Sequence, residues 1–271
     1  MTFTLHKDIH IEHTVRSEGK SMATVHEHAY YEIYFLISGK RRYLMRDTVY
    51  DVEPRDLVLI PKNQLHRAVS ATKEGYDRYV VYFTDHQAEQ LMELMGKRNF
   101  ETLIHQGCIR LPQQIYNEVL QELKQLQHLQ DTQPPYADAL STHLFQGIML
   151  QFLQHGIKKE RLNGIAAEKV QLITQYISHN YKEEITLSSA AEMAGFEKTY
   201  FSKLFRSITG FGFQDYLLQT RILAAEPLLK DPTRSINDVA EACGFSSGNY
   251  FGDVFKRYRG ISPTEYKKTF E

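Results

Sequence analysis

A duplication near the carboxyl end constrains this chain more than any other feature: Ile185 to Tyr266 states one pattern twice. The first copy, LSSAAEMAGFEKTYFSKLFRSITGFGFQDY from Leu187, aligns with INDVAEACGFSSGNYFGDVFKRYRGISPTEY from Ile236. Ala191 falls on Ala240, Gly195 on Gly244 and Phe196 on Phe245. After one inserted residue, Tyr200-Phe201 falls on Tyr250-Phe251, Phe205 on Phe255 and Gly210 on Gly260. Each copy reads as a helix-turn-helix: a short helix closing on a small residue, a glycine for the tight turn, then a second helix. In the second helix, Tyr200, Phe201, Leu204 and Phe205, and their counterparts Tyr250, Phe251, Val254 and Phe255, are expected in the core. Facing outward are then Lys198, Thr199, Ser202, Lys203 and Arg206 in one copy, and Ser247, Asn249, Asp253, Lys256 and Arg257 in the other. Such side chains reach base edges and phosphates. A plain helical bundle with solvated charges is the competing reading, and the repetition counts against it.

Between the copies, Phe213 to Leu229 meets no proline before Pro227 and carries Tyr216, Leu217, Ile222, Leu223 and Leu228 as apolar residues. At about 1.5 Å per residue, such a helix can hold two recognition helices near the roughly 34 Å repeat of duplex DNA. The pattern Ala240-x-x-x-Gly244-Phe245, Tyr250-Phe251, Phe255-Lys256, Gly260-Ile261-Ser262-Pro263 and Tyr266 resembles the DNA-binding signature of the AraC family of bacterial transcription regulators. The resemblance runs from Ala166 to the C-terminus. Two departures are Gly252 and Asp253, which stand where relatives often carry polar or basic side chains; an aspartate accepts from a cytosine amino group but repels phosphate. The resemblance implies promoter DNA as partner, faced by Lys198, Thr199, Ser202, Lys203, Arg206, Ser247, Asn249, Asp253, Lys256 and Arg257, with Thr199, Ser202, Lys203, Asn249 and Asp253 towards bases and Arg206, Lys256 and Arg257 towards phosphates. It also implies a homodimer, a small-molecule effector and, for an activator, RNA polymerase as a partner.

The amino-terminal half, Phe3 to about Phe83, reads as short strands separated by turns such as Ser38-Gly39 and Pro54-Arg55-Asp56. In the strand Tyr30 to Ile37, odd positions Tyr31, Ile33, Phe35 and Ile37 are apolar. The even positions His28, Tyr30, Glu32, Tyr34 and Leu36 mix aromatic and polar groups, as for a face that lines a cavity or meets solvent. His26-x-His28, Glu32 and Gly39, followed by Pro61-x-Asn63-x-x-His66, resembles the two motifs of cupin barrels, with Asn63 where glycine is more usual. That resemblance turns His26, His28 and Glu32 inward from one strand region and His66 from another. Three imidazoles and a carboxylate can hold a divalent transition metal. Cupin-type sensor domains of AraC-like regulators often bind an organic effector without metal, and beside a DNA-binding half the metal-free pocket is preferred. Its expected lining is His26, His28, Tyr30, Glu32, Tyr34, Tyr43, His66 and Tyr82, whose rings and hydroxyls suit a saccharide. No catalytic residue and no cofactor are expected. The alternative is a metal-dependent cupin enzyme, an oxygenase or isomerase, built on His26, His28, Glu32 and His66.

Beyond the strands, Gln87 to Met95 reads as helix. Gln113 to Leu129 carries the stripe Ile115, Val119, Leu120, Leu123, Leu126 and Leu129, which packs on its own domain or, by the resemblance, pairs two subunits. Pro134-Pro135 ends it, and a further helix to His155 repeats Leu140, Leu144, Ile148 and Phe152. Gly156 to Gly164 reads as a linker, and a helix from Ala166 to Tyr181 places Val170, Ile173, Tyr176 and Ile177 inward. Thr186 or Ser188 is the expected cap of the first repeat and Ser235 of the second. The expected class is α+β: a cupin-like β-barrel with dimerisation helices over residues 1–160, and an all-α domain with two helix-turn-helix motifs over 166–271. A net charge of −1 over 271 residues carries no signal for DNA, so the basic cluster Lys256, Arg257, Arg259, Lys267 and Lys268 matters instead. The two cysteines, Cys108 and Cys243, argue against a disulfide framework. With no apolar run of membrane-spanning length and no signal-peptide core in MTFTLHKDIH, a cytoplasmic location is expected.

Overall fold

The computed structural model describes residues 7–19, 28–45, 48–70, 72, 74–160, 162 and 164–270. It divides into two compact units, Met1–Leu162 and Asn163–Glu271. The first runs through β1 (Ile9–Glu18), β2 (Tyr31–Ser38), β3 (Arg41–Met45), β4 (Thr48–Val52), β5 (Asp56–Ile60), β6 (His66–Ser70) and β7 (Glu74–Phe83). Then come α1 (Asp85–Met95), α2 (Lys97–Ile104), β8 (Cys108–Arg110), α3 (Gln113–Thr132), α4 (Ala137–His155) and β9 (Ile157–Lys158). One sheet has the order β1-β7-β2-β5-β8-β9 and the other β4-β3-β6, with antiparallel pairing throughout.

The period-two pattern of β2 decides how these layers stack. Ile33 and Phe35 join Leu57, Leu59, Val81 and Phe83 in a core that the four helices close with Leu91, Phe100, Val119, Leu123, Phe145 and Phe152. Tyr34 and Leu36 face the opposite way, with Val58, Ile60, Tyr76 and Val80, against Tyr43, Met45, Val52 and Ala68 of the small sheet. Both faces of β2 are therefore apolar enough to bury, each large side chain contributing about 1.5–3 kcal/mol. The mixed face lines the space between the sheets rather than meeting solvent.

Three expectations need correction. Helix α2 and strands β8 and β9 were not foreseen. The segment read as a linker is mostly part of the first unit: β9 pairs with β8, Lys159 donates its backbone N–H to Cys108 at 2.9 Å, and Leu162 donates to Val49 at 2.7 Å. In α4 the buried face is Phe145, Ile148, Met149 and Phe152, whereas Leu140 stays 47% exposed.

The second unit contains α5 (Ile165–Asn180), α6 (Leu187–Ala194), α7 (Lys198–Thr209), α8 (Phe213–Leu229), α9 (Ile236–Ala242), α10 (Gly248–Arg259) and α11 (Pro263–Lys268). Both repeats form as expected, α6-turn-α7 and α9-turn-α10. Thr186 and not Ser188 starts α6, its hydroxyl accepting from Ser189 N–H while the Ser189 hydroxyl returns the bond. Ser235 and Asp238 do the same for α9. Gly195 and Gly244 make the turns at φ +73 and +79, a region closed to most side chains. Helix α8 lies against both repeats, and its Leu218, Ile222, Ala225 and Leu229 meet Val239, Phe251 and Phe255 of the second. Its 17 residues span about 25 Å. Inside that core the α8 guanidinium of Arg221 donates to the carbonyls of Tyr181 and Glu183, each at 2.7 Å, holding the residues that follow α5.

Candidate functional site

Helix α7 begins at Glu197, whose carboxylate accepts from Tyr200 N–H at 2.9 Å. Hydrogen bonds from the backbone at Thr199 and Tyr200, and from the Thr199 side chain, hold this carboxyl below its ordinary range. Helix α10 begins at Ser247, whose hydroxyl accepts from Tyr250 N–H at 3.2 Å. The two repeats thus differ at the end where backbone N–H groups attract phosphate: one carries a carboxylate, the other a neutral hydroxyl. Of these two ends, that of α10 carries no capping carboxylate.

Beyond the caps, Lys198, Thr199, Lys203 and Arg206 are exposed along α7 and Ser202 is half-buried; on α10, Asn249, Asp253, Lys256 and Arg257 are exposed. Positions 199, 203 and 206, like 249, 253 and 256, recur at the three- and four-residue spacing of one helical face. The structure therefore presents each expected set on one side of its helix. Arg257 lies over the Tyr258 ring at 4.8 Å and donates to its hydroxyl at 3.2 Å, and that hydroxyl donates to Asp215. Two members of the expected basic cluster serve the fold instead. Arg259 is ion-paired with Glu226, and Lys267 donates to the carbonyls of Pro232 and Arg234 at 3.0 and 2.6 Å.

Two tyrosines expected in the core are outside it: Tyr200 is 52% exposed and Tyr250 43%. Consecutive helical residues point about 100° apart, so only one of each Tyr-Phe pair faces the core, and the phenylalanine without a hydroxyl takes that place. Each tyrosine rests instead on the phenylalanine of its preceding turn, Tyr200 at 5.3 Å from Phe196 and Tyr250 at 6.0 Å from Phe245.

In the first unit, β2 and the residues just before it, with β3, β6 and β7, bring seven of the expected lining residues together. Glu32 is 1% exposed. It receives a bond from Tyr43 on Oε1 at 3.1 Å, while His28 Nε2 stands 2.8 Å and His66 Nε2 3.4 Å from Oε2. Tyr30 stacks on His28 at 4.1 Å, and Tyr82 stands edge-on to both rings at 5.3 and 5.9 Å. Tyr34 adjoins Tyr43 at 5.0 Å, buried with it. His26 lies outside the described residues. Burial alone would raise the Glu32 carboxyl, but the charge and hydrogen bonds of His66 and His28 outweigh it and hold the group well below its usual range. Burial pushes the Tyr30 and Tyr34 phenols up to about 12 and those of Tyr43 and Tyr82 further, so all four stay protonated donors.

Both histidines are held through Nδ1. His28 donates Nδ1–H to the Tyr30 carbonyl at 2.8 Å, and His66 donates Nδ1–H to the Gln64 carbonyl at 2.7 Å. A carbonyl only accepts, so in each neutral ring the lone pair is on Nε2, facing Glu32. Such second-sphere bonds are those of metal-ligating histidines, and the three ligand atoms lie within 4.8 Å of one another. Ligands about 2.1 Å from a tetrahedral ion stand about 3.4 Å apart. The His66–Glu32 distance matches that, whereas His28–Glu32 is a hydrogen-bond separation, which requires a second proton on His28. The donor set fits a transition metal after a small opening of His28, and equally fits a protonated histidine on a buried carboxylate.

Sequence reasoning passed over Arg41 and Arg78, which enter the same interior; the alternation Tyr76, Arg78, Val80, Tyr82 in β7 was the signal available.

The residues so described fall within two family models: one for an AraC-like ligand binding domain matches residues 12–148, and one for a helix-turn-helix domain matches 190–269. The HTH-type transcriptional activator RhaR of Escherichia coli (strain K12) is 23% identical over 244 residues, covering 89% of this chain and 86% of that protein. Among solved structures, ToxT from Vibrio cholerae O395 is 16% identical, with 97% of this chain and 98% of that one covered at a TM-score of 0.38. The DNA-binding domain of AdpA in complex with a target DNA is 27% identical over 38% of this chain and 92% of its own, at a TM-score of 0.36.

Proposed function

The chain belongs to the AraC family of transcription regulators, ligand-responsive proteins that bind DNA in a sequence-specific way, and from that premise we propose how its parts divide the work. The carboxyl-terminal unit grips promoter DNA through α7 and α10. Lys198, Thr199, Ser202, Lys203, Asn249 and Asp253 read bases, while Arg206, Lys256 and Arg257 hold phosphates, with Ser247 at the phosphate-facing end of α10. The single observation that supports this most is the repetition itself: two caps, two turns and two aligned rows of exposed polar side chains built on shared cores.

The amino-terminal unit senses a small metabolite between its sheets, at His28, Tyr30, Glu32, Tyr34, Tyr43, His66 and Tyr82, with His26 as the remaining member of the set. Sugar utilisation is the response class suggested by the tyrosine-rich lining. Effector binding shifts the population competent for DNA. The regulator works in the cytoplasm as a homodimer joined through α3 and α4, and as an activator it contacts RNA polymerase. Among the described residues no helix is long and apolar enough to cross a membrane. The test is selection of genomic fragments bound by the full chain with and without a panel of sugars and organic acids. A shared sequence whose recovery changes with one metabolite is expected; recovery of fragments with no common sequence defeats the assignment.

A second reading is favoured by the convergence of His28 Nε2 and His66 Nε2 on Glu32: a resident transition metal on His28, Glu32 and His66, which would polarise a bound oxygen ligand there. Metal analysis of untagged protein decides it, because a stoichiometric ion promotes this reading and a sub-stoichiometric trace removes it.

A further inference from the structure

Resting on the reading of the first unit as a sensor, we infer that its effector carries a carboxylate, and that Arg78 is the residue that binds it. The inference begins from the register of β7. Arg78 shares a face with Tyr76, Val80 and Tyr82, and Tyr76 and Val80 are buried in the core between the two sheets. The guanidinium therefore enters the interior, 5.2 Å over the Tyr34 ring and 5.9 Å over Tyr76. Its Nε is sealed from solvent and donates to no group among the described residues. Nor does Arg78 form an ion pair with any of them.

Among the described residues, the neighbouring acids are committed elsewhere. Asp77, next in sequence, points to the opposite face and pairs with His13 at 2.7 Å. Glu32, the buried carboxylate on the same side, is taken by His28, Tyr43 and His66. Asp56 is ion-paired with Arg110 and Lys159. A second guanidinium, Arg41, is 1% exposed and lies 4.2 Å from the Tyr76 ring on the same interior side. A half-buried guanidinium such as that of Arg78, left without an anion, is costly, and rings satisfy only its faces. Its edge is a planar fork of N–H donors that matches a carboxylate in two parallel bonds. The tyrosine hydroxyls and rings around it suit a hydroxylated body, so a sugar acid or other hydroxy acid is the class of effector that fits both parts.

The probes are propionate and its uncharged twin propionamide, titrated into the full chain while its thermal unfolding is followed, with inorganic phosphate as a third arm. Propionate is expected to raise the transition temperature saturably, as a ligand of the folded state must; propionamide is expected to leave it unchanged. Arg78→Met is expected to weaken propionate roughly ten- to a hundredfold, the loss of a charged hydrogen-bonded partner. Arg78→Lys keeps the charge without the fork and is expected to retain a weaker response, and it serves if the methionine variant fails to fold. Equal effects of propionate and propionamide, an undiminished response in folded Arg78→Met, or a response to phosphate alone overturns the inference. Binding of a promoter fragment, measured with glucuronate and with glucose, separates this from the parent reading. Control by glucose alone overturns the carboxylate and leaves the sensor; control by neither of these or of the wider metabolite panel removes the sensor and the carboxylate together.

Discussion

Lys203 and Arg257 are both exposed on recognition helices, yet they belong to different tasks. Lys203 stands mid-helix on the row with Thr199 and Arg206, the row proposed to face the bases. Arg257 lies folded over Tyr258 near the end of α10, within the helix's basic last turn. Lys203→Ala is expected to relax preference at one position of the operator, at a cost of about 1–3 kcal/mol for the preferred base; equal losses on operator and random DNA would contradict this. Arg257→Ala is expected to weaken all duplexes alike and to reduce the salt slope by about one, read from binding at several salt concentrations. The thiols give a separate check. Burial pushes Cys108 up to about 12 and Cys243 up to about 11, so below those values the unreactive protonated form dominates. Both cysteines are expected to resist iodoacetamide at neutral pH in the native protein and to react once it is unfolded, read by mass spectrometry. Rapid labelling of either in the native state contradicts the packing described for it.

The two turn glycines look alike in sequence and differ in surroundings. A Cβ on Gly244 would stand 2.5 Å from the Lys182 carbonyl oxygen, whereas one on Gly195 would meet nothing within 4 Å. Gly195→Ala therefore carries the left-handed backbone strain alone, about 1 kcal/mol. Gly244→Ala adds a collision with backbone and is expected to cost clearly more, about 2–4 kcal/mol. Thermal unfolding of the two variants compares them directly, and equal destabilisation would show that the Lys182 contact does not matter. The contrast also marks what a sequence discloses about elements. The repeats were legible because glycine, small residues and aromatic positions recur at fixed offsets. Strand β2 was legible because its two faces are written in alternating positions. Strands β8 and β9, with three and two residues, hold too few positions to show a period, so the segment carrying β9 read as linker. Tyr200 and Tyr250 were misplaced because aromatic character says nothing about which of two adjacent residues turns inward.

For the whole molecule, the expected α+β architecture, with strands followed by two helix-turn-helix units, was readable from order and repetition alone. The interior chemistry was only half readable: motif spacing drew attention to His28, Glu32 and His66, while Arg78 gains its meaning from having no ion-pair partner among the described residues, which is a three-dimensional fact. A groove between α3 and α4 is lined by Leu129, Leu140 and Leu144 with Lys124, His128 and His143 at its sides. If this groove joins two copies, Leu140→Glu is expected to raise the dimer dissociation constant by about tenfold or more through the cost of burying a carboxylate. Sedimentation over a range of concentrations measures it, and an unaltered constant places the dimer contact elsewhere.

Strand β9 closes the larger sheet at its edge, and Lys159 just beyond it is anchored to the β5 side chain of Asp56 and, at 2.5 Å, to the Asp51 carbonyl. The chain leaving the sensor is consequently clipped to the very strands that bound its interior. A guest that displaces β5 must tug the departing backbone with it, so news of occupancy reaches the exit as a mechanical pull and needs no separate messenger.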